Sequence, residues 1–200
     1  MTTFLLGLTG SIGMGKSTTA GFFAEMGLPV WDADQAVARL YGPNGQAVGL
    51  VAALCPAALI NGQIDRAALK RWIAADPTAL TRLEQLVHPL VAADRAAFVA
   101  AQTSDIVVLD LPLLFETGAD AAMDATLVVT SPPDIQRARV LARPGMTEAQ
   151  FRSLLARQMP DADKRARASH VIATDTPDQT RAAVRALIAS IRARHAPNRA

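Results

Sequence analysis

Three stretches of the chain are apolar at nearly every position, and the segments between them are apolar only at every third or fourth residue. The continuous runs are Phe4–Leu8, Ile106–Leu109 and Thr126–Val129. That is the pattern of strands covered on both faces of a parallel sheet. Pro29-Val30-Trp31 and His170-Val171-Ile172 are shorter runs of the same kind. Helical spacing separates them, which predicts a three-layer α/β fold around a parallel sheet. A long stretch over 36–104 is patterned mostly as helix and is broken at Pro43-Asn44-Gly45, Asn61-Gly62 and Asp76-Pro77. Within it, His88-Pro89 is read as the end of a helical pattern. A simple strand–helix–strand crossover is far shorter, so the stretch is expected to be an inserted helical subdomain. A second helical excursion runs over 134–167, with a turn at Arg143-Pro144-Gly145-Met146, and Thr180–Arg194 reads as a final amphipathic helix. The expected layout is one domain over 1–200, with a core of 1–35, 105–133 and 168–200.

Composition narrows the class. Half of the 200 residues are hydrophobic, and a chain of this size hides roughly 70% of the surface its unfolded form exposes. The net charge is only +2, which argues against a nucleic-acid partner, because such a protein normally carries a concentrated basic face. Lys16, Lys70 and Lys164 are the only lysines among 20 basic residues. Cys55 is the single cysteine, so an internal disulfide and a cysteine zinc site are excluded. The chain enters a strand pattern directly, without a basic leader, and its apolar runs fall far short of the roughly 20 residues of a membrane span. A cytoplasmic protein with no membrane partner is expected; the pattern leaves the oligomeric state open.

Chemistry enters at residues 10 to 17. Gly10-Ser11-Ile12-Gly13-Met14-Gly15-Lys16-Ser17 fits the phosphate-loop pattern G-x-x-x-x-G-K-[ST] at every fixed position, after an apolar run and before a helix-compatible one. Glycines let successive backbone N–H groups turn toward phosphate oxygens, and the helix N-terminus adds positive potential there. The loop from Ser11 to Thr18 is therefore expected to bind the phosphates of a nucleoside triphosphate. Lys16 should reach the β- and γ-phosphates and the Ser17 hydroxyl should coordinate Mg²⁺.

Other candidates are placed by their position relative to that loop. Asp32 and Asp34 follow the second strand, where a carboxylate can orient or deprotonate an attacking hydroxyl. One of them can equally cap a helix beginning near Gln35, and the residues alone do not separate their roles. Ile106-Val107-Val108-Leu109-Asp110 ends four apolar residues on an acid, which places Asp110 near Mg²⁺ beside Ser17. Leu111-Pro112-Leu113-Leu114-Phe115-Glu116 must then leave the sheet, because proline cannot continue a central strand, and is placed to wall a substrate pocket. Arg137, Arg139 and Arg143 open the basic excursion over 134–167, which reads as a lid carrying cations to the transferred phosphoryl group. The GTPase motifs D-x-x-G and N-K-x-D are absent. A metabolite kinase fits best, ahead of a nucleotide-binding regulatory module.

The same residues resemble the dephospho-coenzyme A kinase family over essentially the whole chain. The landmarks are Leu6–Gly10 leading into the loop, Asp32-Ala33-Asp34, Val87-His88-Pro89-Leu90-Val91, Leu111–Glu116, Gln158-Met159-Pro160 and Lys164–Ala168. The resemblance implies ATP-dependent phosphorylation of the ribose 3′-hydroxyl of dephospho-CoA, with another nucleoside or nucleotide kinase as the alternative. It implies Asp34 as the general base, and Arg143, with Arg137 in reserve, as the lid arginine beside Lys16. It also implies a helical insertion that holds dephospho-CoA near His88, with Asp34, Pro112 and Leu113 in contact with substrate. The chain departs from the family at Ser169 and Thr174, where an Asp and an Asn are usual. Adenine contacts in that segment are therefore expected from backbone groups or from Thr174.

Overall fold

The chain was analysed as a computed structural model describing residues 3–195. It forms two compact units, one built from the residues up to Val30 with those from Thr103 onward, the other from Trp31–Gln102. The first unit opens with β1 (Phe4–Thr9) and α1 (Lys16–Glu25), and β2 (Val30–Asp32) leads out of it. The second unit contains α2 (Ala33–Tyr41), α3 (Val48–Leu54), β3 (Leu59–Ile60), β4 (Gln63–Ile64), α4 (Arg66–Ala75) and α5 (Ala79–Ala100). The chain then returns through β5 (Ile106–Asp110), β6 (Ala125–Thr130), α6 (Pro133–Leu141), α7 (Glu148–Leu155), α8 (Asp161–Arg167), β7 (His170–Ala173) and α9 (Pro177–His195).

The three continuous apolar runs and the two shorter ones form one sheet in the order β2-β5-β1-β6-β7. β1 lies parallel to β5, with Phe4 opposite Ile106 and Leu8 opposite Asp110, and parallel to β6 on its other side. Every residue of β5 is buried, which explains why its sequence does not alternate. Side chains such as Leu6, Phe23, Leu127, Ile172 and Ile188 make a single cluster from sheet, α1 and α9. Phe23 is fully buried, and removing a side chain of that size from water is worth about 1.5–3 kcal/mol. The final helix starts at Pro177, three residues earlier than its amphipathic pattern suggests.

The second unit has its own core, including Leu40, Val51, Leu69, Leu83 and Val87. Two features differ from expectation there. Pro89 does not end a helix: α5 runs through it for 22 residues. Leu83 and Val87 before the proline and Leu90 and Val91 after it pack on the same cluster. That shared burial outweighs the roughly 3 kcal/mol a proline costs inside a helix. Asn61-Gly62 is more than a break. Both residues have positive φ, 51° and 76°, and they join β3 to antiparallel β4 as the two-residue turn such a dipeptide favours. Among the described residues no helix is long and apolar enough to cross a membrane.

Candidate active site

The phosphate loop is the connection from the C-terminal end of β1 into α1. Gly13 and Gly15 have φ of 80° and 84°, the left-handed region in which a side chain is strained. Space excludes one as well. A Cβ on Gly13 would lie 2.5 Å from Val140 Cγ2, and one on Gly15 would lie 2.8 Å from Thr174 Oγ1. The loop is gripped from outside. Both polar backbone groups of Ile12 are engaged: its N–H donates to Gln158 Oε1 at 2.9 Å and its carbonyl accepts from Gln136 Nε2 at 2.7 Å. The Met14 carbonyl accepts from the Thr174 hydroxyl at 2.9 Å, and the Met14 sulfur accepts from the Ser131 N–H at 3.1 Å. Ser11 is buried, and its hydroxyl meets no partner among the described residues.

Lys16 opens α1, and its ammonium pairs with the Asp110 carboxylate. Asp110 ends β5 opposite Leu8 and is only 1% exposed. The predicted lysine and acid are therefore neighbours at the same edge of the sheet. A cavity of about 340 Å³ lies at the loop, lined by Gly13, Gly15, Ser17, Thr18, Arg139 and Arg143. A larger one, about 980 Å³, lies on the other side of Met14, toward Leu155, Gln158 and Pro160. The glycines and Ser17 line the smaller cavity, which is the one matched to phosphate chemistry.

The three lid arginines separate. Arg143 is exposed and faces the phosphate cavity. Arg139 is committed to β7, donating to the Thr174 carbonyl at 2.6 Å and to the Thr174 hydroxyl at 3.1 Å. Arg137 pairs with Glu148 at 2.9 Å and does not line that cavity.

The donor set suits magnesium. Such an ion uses one or two carboxylates, keeps several waters and takes its remaining ligands from substrate phosphates. Ser17 and Asp110 offer a hydroxyl and a carboxylate of that kind. No group of three or more His, Cys, Asp or Glu side chains suited to holding a metal occurs among the described residues, so the residues present fit an ion shared with phosphates rather than one caged by protein.

The second unit holds the other candidates. α2 starts at Ala33, two residues before the expected position, and Asp32 is its N-cap, accepting from the Gln35 N–H at 2.9 Å. The aspartates therefore diverge. Asp34 stands exposed in the first turn, and its carboxylate takes part in no hydrogen bond or ion pair among the described residues. His88 is exposed on α5. Asp94, also on α5, accepts from Trp31 Nε1 and from Arg39, each at 2.7 Å. Burial alone would raise its carboxyl, but these two donors outweigh burial and hold it below the usual carboxylate range.

Pro112 and Leu113 lie where β5 leaves the sheet. The Pro112 carbonyl accepts from the Thr9 hydroxyl at 3.3 Å, and Leu113 is 43% exposed. Three residues on, Glu116 Oε1 lies 2.8 Å from the ammonium of fully buried Lys164 and accepts from the Met159 N–H at 2.8 Å. Burial would raise the Glu116 carboxyl, yet these partners lower it, so it stays ionised. Sequence reasoning assigned no role to Gln136, Gln158, Glu116 or Lys164. The available signal was a polar residue at an inward helical position, as at Gln136, or membership of a landmark, as at the other three.

The two departures occupy opposite ends of β7. Ser169 precedes the strand and exchanges hydrogen bonds with Thr126, its hydroxyl accepting at 3.1 Å and its N–H donating at 3.0 Å. It lies at the end of the sheet away from the phosphate loop. Thr174 follows the strand, is buried, and has its hydroxyl on Met14 and Arg139. Its side chain is a brace for the loop.

A parallel sheet that brings a glycine loop and a loop lysine on a buried acid to one edge, with Arg143 lining the cavity at the glycines, defines a P-loop kinase. The family model for dephospho-CoA kinase matches residues 4–179. A dephospho-CoA kinase of Cereibacter sphaeroides is 68% identical over 192 residues, covering 96% of this chain and 98% of that one. Among solved structures, TT1252 from Thermus thermophilus superposes with a TM-score of 0.86 at 33% identity, covering 96% of this chain and 99% of that one. The dephospho-CoA kinase of Campylobacter jejuni shares the fold, with a TM-score of 0.69 at 20% identity and coverage of 94% and 96%. The chain belongs to the dephospho-CoA kinase family.

Proposed function

We propose that the chain transfers the γ-phosphoryl group of ATP to the ribose 3′-hydroxyl of dephospho-CoA, giving coenzyme A and ADP. The observation that carries this reading is the cavity lined by the loop glycines, Ser17 and Arg143, with the Lys16–Asp110 pair at the same edge of the sheet, in a chain of this family. In the reaction the bond from the γ-phosphorus to the bridging oxygen breaks and a bond to the 3′-oxygen forms. The hydroxyl proton must leave, and ADP departs with the former bridging oxygen.

Each step has a residue suited to it. Backbone N–H groups of the loop and of the first turn of α1 receive the phosphates. Lys16 exchanges its carboxylate partner for phosphate oxygens, which carry more charge. Arg143 supplies a cation to the three equatorial oxygens as charge spreads over them. Asp34, exposed and unpaired, accepts the proton of the 3′-hydroxyl. Residues 31–102, His88 among them, are suited to hold dephospho-CoA, and in the first unit Pro112 and Leu113 are candidates for substrate contact. Ser17 and Asp110 are the residues to hold magnesium, which when bound neutralises the developing charge on the phosphate oxygens.

The deciding experiment measures ADP release with ATP and magnesium against dephospho-CoA and a panel of nucleosides and nucleotides. Stimulation by dephospho-CoA, with the product phosphorylated at the 3′ position, is the expected result. Turnover only with plain nucleosides would overturn the assignment.

A further inference from the structure

Gln158 belongs to a landmark of the chain, yet the reaction proposed above assigns it no role. Its side-chain carbonyl lies 2.9 Å from the Ile12 N–H, inside the phosphate loop. On the other side of the same residue, Gln136 holds the Ile12 carbonyl at 2.7 Å. A backbone held at both N–H and C=O cannot rotate either adjoining peptide without losing a hydrogen bond. The next residue is Gly13, whose left-handed conformation would otherwise be one of several open to a glycine. The two glutamines therefore restrict the residue most able to relax.

Gln158 is itself held. It lies in the connection between α7 and α8, and the next N–H, that of Met159, donates to Glu116 at 2.8 Å. Glu116 is fixed in turn by Lys164, whose ammonium is 0% exposed and 2.8 Å away. The landmarks at residues 116, 158 and 164 are thus linked in one chain of contacts that ends on the Ile12 N–H of the loop.

We propose that Gln158 is a positioning residue for triphosphate binding: it locks the phosphate loop through Ile12, and the Glu116–Lys164 pair holds it in place to do so. The proposal rests on the phosphate-loop reading, but it does not depend on which acceptor the enzyme phosphorylates. A loop shaped in advance loses less freedom when phosphate binds. The function of the clamp is therefore read in ATP affinity rather than in the identity of the product.

The test uses ATP as the probe, without any phosphoryl acceptor, so its failure is distinguishable from failure of the dephospho-CoA assignment. Gln158→Met keeps the length of the half-buried side chain and removes the acceptor. In nucleotide-free protein the Ile12 amide should exchange its hydrogen about 10-fold faster, and ATP affinity should fall about 5-fold, as expected for one lost hydrogen bond. The midpoint of thermal unfolding should barely move. Gln158→Glu retains an acceptor and should keep the Ile12 amide protected. Glu116→Met with Lys164→Met removes the second support without stranding a buried charge. Combined with Gln158→Met it should weaken ATP binding by less than the product of the separate effects, because both act through one clamp. Unchanged Ile12 exchange in Gln158→Met, unchanged ATP affinity, or strictly multiplicative losses in the combined variant would each overturn the proposal.

Discussion

Replacing Glu116 by glutamine should destabilise the protein far more than replacing its partner Lys164 by methionine, although each change removes the same ion pair. The asymmetry follows from exposure. Lys164 is 0% exposed and Glu116 is 18% exposed, and the lysine ammonium has no hydrogen-bond acceptor of good geometry among the described residues. Glu116→Gln therefore leaves a buried ammonium without its counter-charge, a situation that costs about 3–5 kcal/mol. For a chain of this size each kcal/mol moves the unfolding midpoint by about 2–4 °C. The expected fall is then roughly 10 °C. Lys164→Met keeps the packing of the stem and leaves a carboxylate that still accepts from Met159 and reaches water, at a cost of about 1 kcal/mol. The double variant should recover most of the loss, because no charge is stranded. Thermal unfolding followed by circular dichroism gives all three values. Equal effects of the two single replacements, or a double variant no better than Glu116→Gln, would refute the reasoning.

Asp34→Asn should leave ATP affinity within about twofold and lower turnover by about 10²–10⁴, the usual worth of a positioned base; turnover near the parent value in the coupled assay would exclude Asp34 as the proton acceptor. Arg143→Ala should lower kcat more than it weakens ATP binding, since its charge acts mainly on the transferring group, and should do so more than Arg137→Ala, whose side chain is paired with Glu148. Asp94 makes the Trp31 environment pH-dependent. Its carboxyl lies below the ordinary value of 3.8 when folded, so its contribution is present above that pH and is lost as pH falls through the lower, folded value. In a Trp72→Phe background, Trp31 emission should change in that acid range and should already be altered at neutral pH in Asp94→Asn; a pH profile identical in the two proteins would contradict the link.

Much of the first unit was legible because its signals are local. Phe4–Leu8 and Ile106–Leu109 are buried on both faces of one sheet and read as continuous apolar runs, and the phosphate loop is contiguous in sequence. Asp110 was legible as well, since a strand that ends on an acid brings that acid to the edge where the loop lies. Pro89 was misread because a local rule, the missing N–H, was overridden by burial on both sides of it, and burial is not local. The β3–β4 hairpin was missed because each strand is two residues long, too short to alternate visibly. Arg137, Arg139 and Arg143 looked equivalent because spacing along an excursion does not show which guanidinium finds a partner nearby. The glutamine clamp was illegible for the same reason: Gln158 and Ile12 are 146 positions apart, and nothing in either neighbourhood points to the other.

That clamp bears on how the helical excursion over 134–167, the proposed lid, attaches to the chemistry. At its start, Gln136 and Arg139 on α6 are fixed to Ile12 and Thr174. At its end, Gln158 and Met159 are fixed to Ile12 and Glu116. Arg167 adds to the second anchor, stacking 4.7 Å from the Phe115 ring and pairing with Asp120 at 2.9 Å. One end is thus referred to the loop and to the residue after β7, the other to the loop and to the segment that leaves β5. That last segment follows Asp110, which pairs with Lys16, and its Pro112 carbonyl takes the Thr9 hydroxyl. Arg143 sits two residues beyond α6, just past the anchored stretch and before the turn at Gly145, where φ is 74°. An arginine on a short tether from a fixed base can reach a phosphoryl group with little loss of freedom, whereas one deeper in the lid would have to order more chain first. The position of Arg143 therefore suits a transition-state cation, and the buried pair at Glu116 and Lys164 is part of what makes its base fixed.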